Sequence, residues 1–202
     1  MKVIKCDTEQ LNSVVQLHLQ SFEGFFLSRL GPAFLEELYC AFANNNDACC
    51  FVLLDKAGAV TGFISGTSSP QSFFKRLLML RWWRFCLASV FALLRNPVEM
   101  STRLMKAVVY RGDNSPALSG KPALLSSVAV LPGKQNKGAG KLLVAAFEKW
   151  AQTQGCDGVY LLTDAVFNDT VNSFYLRNGF MVKDVIIRSN NRKMNLFYKE
   201  VK

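Results

Sequence analysis

The stretch "LPGKQNKGAGKLL", residues 131–143, decides the fold of this chain. Its three glycines allow the backbone to approach a ligand closely and to adopt positive φ angles. The leucines that follow predict a helix beginning near Gly138, so unpaired N–H groups would point back into the loop. This combination predicts an anion site, for a phosphate or a pyrophosphate. For these residues alone, the alternative is a glycine-containing surface turn with solvated lysines.

Strand-like and helix-like runs alternate on both sides of this loop. A buried strand, "ALLSSVAVL" at 123–131, precedes the loop, and an amphipathic helix at 140–155 follows it. Further runs predict helices at 7–22, 30–45 and 168–180, and strands at 3–6, 49–55, 60–68, 159–164, 181–187 and 193–201. Such alternation predicts an α/β or α+β domain of three layers.

Residues 70–123 interrupt this alternation. Their composition predicts a largely helical insertion, and its longest uncharged run, 85–94, is too short for the roughly 20 residues that span a bilayer. From Gln71 to Gly112 there are eight basic residues and one acid, a net charge of +7. This excess favours anionic partners.

Composition excludes several other classes of protein. Half of the 202 residues are hydrophobic, which predicts one domain, 1–202, with a substantial core. The six cysteines form no CxxC pair and there is a single histidine, His18, so we predict neither a zinc site nor a disulfide framework.

Charges within the first residues argue against a secretory signal, and we expect a cytoplasmic protein. His18 lies within a predicted helix, where a structural or exposed role is favoured over catalysis.

Two common phosphate-binding loops do not fit the glycine stretch. The dinucleotide fingerprint GxGxxG/A fails because Leu143 stands at its third position. The ATP-binding loop GxxxxGK[ST] fails because Ala139 and Gly140 stand where lysine and serine or threonine are needed. The pattern V-x-P-x-x-Q-x-x-G-x-G does fit, and its fixed positions are occupied by Val130, Pro132, Gln135, Gly138 and Gly140.

This pattern resembles the acyl-CoA site of the GNAT acetyltransferase superfamily. A second block, "NDTVNSFYLRNGF" at 168–180, is similar to the family pattern N-x-x-A-x-x-[LF]-Y-x-x-x-G-F, with Val171 replacing a small residue. The resemblance covers the whole chain except the insertion at 70–123. It implies a GNAT-like α/β (α+β) three-layer domain with a central mixed twisted sheet, helices on both faces, and the insertion between strands 3 and 4.

The resemblance also implies that acetyl-CoA is the co-substrate and that no metal is needed. The pantetheine arm would pair with the backbone of the strand before the loop, and the pyrophosphate would sit on the N–H groups at the helix start. Gly138 and Gly140, which have no side chains, would then leave room for the pyrophosphate. The cofactor-binding residues implied are Val128, Ala129, Val130, Gln135, Asn136, Lys137, Gly138, Ala139, Gly140, Lys141, Asn168 and Tyr175.

Two catalytic residues are expected from the resemblance and from chain position. Tyr175 matches the tyrosine that the family often places near the thioester sulfur, where it would assist the departing thiolate. Its alternative role is that of an aromatic core residue. Asp164, at the end of a predicted strand, is the expected general base. Glu23, a chain of waters, or a purely structural role for Asp164 are the alternatives.

The predicted function is transfer of an acetyl group from acetyl-CoA to an amine of a small acceptor. The basic insertion would repel polyamines and aminoglycosides and attract an anionic acceptor, such as a nucleotide-linked amino sugar. One alternative is an acyl-CoA-binding, membrane-surface or partner-binding module without turnover, because residues 73–95 mix tryptophans with arginines. No nucleic-acid-binding motif accompanies the charge. We expect a monomer or a homodimer.

Overall fold

The structure, a computed structural model, describes residues 1–77, 79, 118–135, 138–188 and 191–201. Within them the chain forms seven strands and five labelled helices. The strands are β1 (Lys2–Lys5), β2 (Ala48–Leu54), β3 (Val60–Thr67), β4 (Ala123–Val130), β5 (Gly158–Asp164), β6 (Met181–Ile187) and β7 (Lys193–Glu200). The helices are α1 (Thr8–Ser21), α2 (Phe26–Arg29), α3 (Pro32–Asn44), α4 (Ala139–Thr153) and α5 (Asp169–Arg177).

The seven strands form one mixed sheet in the order β1-β2-β3-β4-β5-β7-β6. Every neighbouring pair is antiparallel except β4 and β5, which run parallel and are connected through α4. A parallel pair needs such a crossover because a hairpin cannot return the chain in the same direction. The predicted mixed sheet is confirmed.

Helices cover both faces of the sheet. Successive strand residues point to opposite faces, and on β3 the side chain of Phe63 joins a hydrophobic cluster with α1 and α3. The next residue, Ile64, joins a second cluster with α4 and α5 that includes Phe147 and Phe197. Two cores on either side of one sheet give the predicted three layers.

The first helices begin where the sequence places their start signals. Asp7 caps α1 through a capping box, in which its carboxylate accepts from the Glu9 N–H at 3.0 Å and Gln10 accepts from the Asp7 N–H at 3.1 Å. Pro32 opens α3, where its missing N–H would have no helical partner. These two helices close one face of the sheet beside β3.

The parallel strands β4 and β5 stay together only at their beginnings. Their paired residues are Ala123 with Val159 and Leu124 with Tyr160, and no further pair follows along either strand. On its other edge β4 carries a bulge at Ser126, because Ser65 pairs with Ser127 but the next residue of β3 pairs with Leu125. Bulges bend a strand locally. β4 and β5 therefore diverge and leave a gap that widens toward their carboxyl ends.

The insertion between β3 and β4 is described only at its ends. Residues 70–77 are helical, and Phe73 stacks on Phe42 of α3 with ring centroids 4.8 Å apart. Residues 78 and 80–117 lie outside the described residues. They include most of the basic residues between Gln71 and Gly112. None of the helices in the described ranges is long and apolar enough to cross a membrane.

Candidate active site

The glycine loop ends at a helix start that faces open space. Gly138 is the N-cap of α4 with a φ of 79°, in the left-handed region that favours glycine. A Cβ added to Gly138 would meet no atom within 4 Å beyond its chain neighbours. The first N–H groups of α4, at Ala139, Gly140 and Lys141, have no carbonyl four residues earlier within the helix. The predicted anion site is therefore geometrically possible, while Asn136 and Lys137 lie outside the described residues.

Gly140 has a different role from the one expected. A Cβ at Gly140 would lie 2.8 Å from the ring of Phe174 on α5, which is closer than real Cβ contacts come. The missing side chain thus allows α4 and α5 to approach each other and does not clear the space in front of the helix. Only the backbone N–H of Gly140 remains as a predicted ligand of the cofactor.

The exposed edge of β4 offers main-chain groups to the gap. The N–H of Leu131 donates to the carbonyl of Thr61 on β3 at 2.9 Å. Hydrogen-bonded and non-bonded pairs alternate along an antiparallel ladder, so the backbone of Ala129 faces β3 and the backbone of Val128 and Val130 faces the gap. The Gln135 side chain donates to the Val130 carbonyl at 3.2 Å and so ties the loop to the strand.

This register corrects one of the predicted cofactor-binding residues. Ala129 pairs with Phe63 of β3, and its side chain is buried in the cluster under α1 and α3. Neither its backbone nor its side chain is directed at the gap. The alternation of a strand could have indicated this, because adjacent residues present their backbone groups to opposite edges.

Asn168 holds the start of α5 against the end of β5. Its side-chain amide donates to the Thr163 hydroxyl at 2.6 Å and to the Asp164 carbonyl at 3.2 Å. Asn172 adds a donation to the same carbonyl at 3.2 Å. The residue before this cap, Phe167, is fully exposed and has a φ of 55°. α5 therefore starts at the open end of the gap, on the β5 side.

Tyr175 lies in α5 with its ring in the core. The ring centroids of Phe180 and Phe197 are 5.6 and 5.5 Å away, and Val128 packs against the same cluster. Burial raises the pKa of the Tyr175 phenol above its usual range. Its catalytic role stays a prediction.

Asp164 is held by an arginine. Both of its carboxylate oxygens accept from the guanidinium of Arg192 on the loop before β7, with Nη2 2.7 Å from Oδ2. This two-point bond raises the pKa of the Arg192 side chain. Such two-point bonds between charged groups are among the stronger hydrogen bonds in proteins. Asp164 would have to break its bond to Arg192 before it could accept a proton. The geometry supports a structural role for Asp164 rather than the predicted base.

A cavity of about 350 Å³ lies beside this ion pair, between the end of β5 and the loop before β7. It is lined by Asp164, Val166, Phe167, Asn191, Arg192 and Lys193. One carboxylate faces two cationic side chains there, and the exposed ring of Phe167 supplies a flat apolar wall. The described residues contain no cluster of three or more histidine, cysteine or acidic side chains that could hold a metal ion.

A buried polar pair lies on the face of the sheet that α1 and α3 cover. His18 of α1 is 3% exposed, and its Nδ1 is 2.6 Å from the hydroxyl of Tyr39 on α3. Burial lowers the pKa of His18 to about 4, so the ring is neutral at pH 7. The structural role expected for His18 agrees with this position, but the sequence did not indicate its contact with Tyr39.

The buried histidine predicts a stability that depends on pH. An unfolded His18 takes up a proton near pH 6.5, whereas the folded ring does so only near pH 4. Between these values the unfolded chain binds more protons, so stability is complete above pH 6.5 and is lost as the pH falls. We expect about 2 kcal/mol of unfolding free energy to be lost between pH 7 and pH 5 through this residue.

Urea unfolding at several pH values measures this loss. His18→Gln removes the titrating group, so its unfolding free energy should change by about 2 kcal/mol less than that of the wild type over the same interval. Parallel pH dependences for the two proteins would contradict a neutral buried ring. Since His18 is the single histidine, no second imidazole confuses the comparison.

Comparison with known proteins identifies this arrangement. The sequence profile of the acetyltransferase (GNAT) family matches residues 11–180, most of the chain. The chain belongs to the GNAT acetyltransferase family. It is therefore an acetyltransferase that uses acetyl-CoA, as the glycine loop and the 168–180 block predicted. No curated protein sequence matches this GNAT chain.

Solved structures share the GNAT fold at low sequence identity. SsHAT is 20% identical with a TM-score of 0.65, over all of this chain and 98% of its own. An aminoglycoside 6'-acetyltransferase type Ii is 15% identical with a TM-score of 0.64, over all of this chain and 98% of its own. Spermidine/spermine N-acetyltransferase SpeG from Vibrio cholerae is 13% identical with a TM-score of 0.57, over 98% of this chain and 91% of its own. These likenesses establish the fold.

Proposed function

We propose that this GNAT enzyme transfers the acetyl group of acetyl-CoA to an amine of a small anionic acceptor, such as a nucleotide-linked amino sugar. The observation that carries the proposal is the meeting of two features at one place. The gap between β4 and β5 opens where α4 begins at Gly138. One long ligand with a polar arm and a pyrophosphate can occupy both the gap and the helix start.

The cofactor would lie along β4 and end at the helix start. Val128 and Val130 present backbone groups to the gap, which suits the amides of the pantetheine arm. The N–H groups of the first turn of α4 suit the pyrophosphate, and the helix dipole adds to their attraction. Lys141 is exposed in that turn and contributes positive charge. Asn136 and Lys137 remain proposed ligands on sequence alone.

The chemistry follows from this placement. The acceptor nitrogen attacks the thioester carbonyl and forms a tetrahedral oxyanion, which backbone N–H groups of the Val128–Val130 segment would stabilise. Collapse of that intermediate breaks the C–S bond, the amide forms, and coenzyme A leaves as a thiolate. The hydroxyl of Tyr175 would donate to the departing sulfur. The nitrogen loses one proton in the process, and a water is the simplest base because Asp164 is paired with Arg192.

Charge supports the proposed class of acceptor. The segment from Gln71 to Gly112 carries a net charge of +7, which repels polycationic amines and attracts anions. The cavity between the end of β5 and the loop before β7 is lined by Arg192 and Lys193 against the single carboxylate of Asp164. It would receive the anionic part of the acceptor, with Phe167 against an apolar or aromatic part.

The alternative, a membrane-surface module without turnover, has one structural observation against it. Its aromatic residues would have to face a bilayer, but Phe73 and Phe74 at the start of that segment pack on Phe42 of α3. The tryptophans at 82 and 83 lie outside the described residues. These two rings are therefore not available to a bilayer, and we favour an anionic acceptor over a membrane as the partner of the positive charge at 71–112.

Titration calorimetry and a thiol-release assay test the proposal. We expect acetyl-CoA to bind in the presence of a chelator, and no binding up to millimolar concentration would refute the cofactor site. The assay would compare uridine diphosphate glucosamine and glucosamine 6-phosphate with spermidine and kanamycin. Faster acetyl-CoA-dependent thiol release with the phosphorylated amines is the expected result. Faster release with spermidine or kanamycin would refute the anionic acceptor while leaving the enzyme an acetyltransferase.

A further inference from the structure

The outer edge of β6 is open and apolar. β6 is the last strand of the sheet, and among the described strands it pairs only with β7. Six of its seven residues are exposed. Four of them carry large apolar side chains: Met181, Val182, Val185 and Ile187. An exposed apolar strand edge is a template for pairing with another strand. We propose that β6 pairs antiparallel with β6 of a second copy of this chain, around a two-fold axis between Lys183 and Asp184.

A bulge decides which side chains of β6 share a face. Val182 pairs with Phe197 of β7. Asp184 pairs with the residue before Phe197, so Lys183 has no partner on β7 and is the extra residue of the bulge. Because of this extra residue, Val182 and Val185 both lie on the face that α4 and α5 cover. Lys183 and Asp184 lie together on the other face, where both line one cavity.

The bulge makes the strand complementary to a second copy of itself. Around the proposed axis, Val182 of each copy would stand opposite Val185 of the other, and the four valines would meet on one face. On the other face, Lys183 of each copy would stand opposite Asp184 of the second copy, which gives two ion pairs. In a regular strand, residues three apart lie on opposite faces, and the same register would match no side chains. A closed two-fold contact of this kind uses the same patch on both copies.

The backbone of β6 at Val185 is directed outward. The N–H of Arg188 donates to the carbonyl of Arg192 at 2.8 Å across the end of the β6–β7 hairpin. Bonded and non-bonded pairs alternate along such a ladder, so Val185, three residues earlier, stands in a non-bonded pair. Its N–H donates instead to the Asp184 carboxylate at 2.7 Å. Strand pairing would satisfy this N–H with a carbonyl and release the carboxylate for Lys183 of the second copy.

The two charges at the axis select the register. Within the described part of the chain, neither Lys183 nor Asp184 forms a salt bridge, and the Lys183 ammonium lies 5.5 Å from the centre of the Tyr198 ring. Exposed ion pairs contribute little affinity, but like charges brought together are unfavourable. The valines and the backbone would therefore supply the attraction, and the charges would exclude other registers.

A protected edge is a weaker explanation of the same features. Lysines and bulges often keep the edge strands of proteins from pairing. In β6, however, exposed apolar residues stand on both sides of the bulge. Asp184 also follows Lys183 directly, so the charge pattern attracts an antiparallel copy of itself, whereas a lysine without this neighbour would repel it.

Sedimentation velocity of the full chain, from micromolar to millimolar protein, tests the pairing. One strand pair is small beside the about 1,200–2,000 Å² of stable interfaces, so we expect a reversible dimer whose fraction rises with concentration. Val185→Lys should raise its dissociation constant at least about tenfold, because a charge would enter the apolar cluster. Leu142→Lys, at an apolar residue of nearly equal exposure on α4, should have no effect. A wild type that stays monomeric at every concentration would overturn the proposal.

Exchange of the two charges tests the register. Lys183→Asp would place four carboxylates around the axis and Asp184→Lys four ammonium groups, so each should weaken the dimer about tenfold. The double variant Lys183→Asp/Asp184→Lys restores both ion pairs and should recover most of the affinity. A double variant as weak as the single ones, or a wild-type dimer in all three, would overturn pairing around this axis.

This proposal and the proposed acetyl transfer fail in different measurements. Two strand positions separate β6 from the gap beside β5, so Val185→Lys should bind acetyl-CoA with the wild-type dissociation constant and keep its melting temperature. Loss of acetyl-CoA binding in this variant, with its fold intact, would contradict an interface separate from the cofactor site. Absence of acetyl-CoA binding to a dimeric wild type would refute the cofactor site and leave the β6 pairing standing.

Discussion

Replacing Gly138 by valine is expected to weaken acetyl-CoA binding by at least about a hundredfold. Valine does not readily adopt the φ of 79° found there, so the start of α4 would shift. Its side chain would also enter the open space in front of the helix. Loss of two N–H contacts to a charged pyrophosphate is enough for this factor, since each is worth about 1.5–3 kcal/mol. Titration calorimetry with acetyl-CoA measures the change.

Two glycines of the same stretch provide matched controls. Gly133→Val carries a similar backbone penalty, with a φ of 82° and no neighbour within 4 Å, but lies outside the residues predicted to hold the pyrophosphate. It should retain acetyl-CoA affinity within about threefold, well inside the hundredfold expected for direct loss of phosphate contacts. Gly140→Val should lower the melting temperature, because its side chain would overlap Phe174. Equal affinity losses in Gly133→Val and Gly138→Val would show that strain alone disturbs the loop.

Local sequence signals predicted the helices and strands of this protein, because interactions between residues close in sequence determine where these elements form. Asp7 and Pro32 are start signals that act within one helical turn, and both mark helix starts in the structure. Hydrophobic periodicity predicted the strands, and the loop at 131–143 with the block at 168–180 predicted the family. The mixed sheet, in which β4 and β5 are the parallel pair, followed from that resemblance. Periodicity indicates where strands lie, but it does not indicate which strands pair.

The contacts that the sequence did not indicate join side chains that are distant in sequence. Arg192, 28 residues after Asp164, holds its carboxylate, and the role of Asp164 as a base stays a prediction. Gly140 was expected to clear space for a ligand, but it makes room for Phe174. His18 and Tyr39 meet on neighbouring helices. No spacing rule within one segment indicates such contacts, because they are set by how the layers pack.

Replacing Tyr175 by phenylalanine is expected to lower kcat by about 10–100-fold. The ring would keep its contacts with Phe180 and Phe197, so only the hydroxyl is lost. Hydrogen bonds to a charged group contribute about 1.5–3 kcal/mol, and the charge on the sulfur develops only as coenzyme A departs. Acetyl-CoA binding should therefore change little, and the loss should appear in kcat.

Burial sets the upper limit of this effect. A free phenol has a pKa near about 10 and a thiol near about 8.5, and burial raises the pKa of Tyr175 further. Full proton transfer to the thiolate is thus strongly uphill, and hydrogen bonding is the expected form of assistance. Steady-state kinetics with the best amine of the panel, with Tyr198→Phe on β7 as the matched tyrosine control, would measure it. A loss well above a hundredfold would instead indicate proton donation, which typically gives about 10²–10⁴-fold. Wild-type turnover in Tyr175→Phe, with an unchanged melting temperature, would return Tyr175 to the core and leave the thiolate to water.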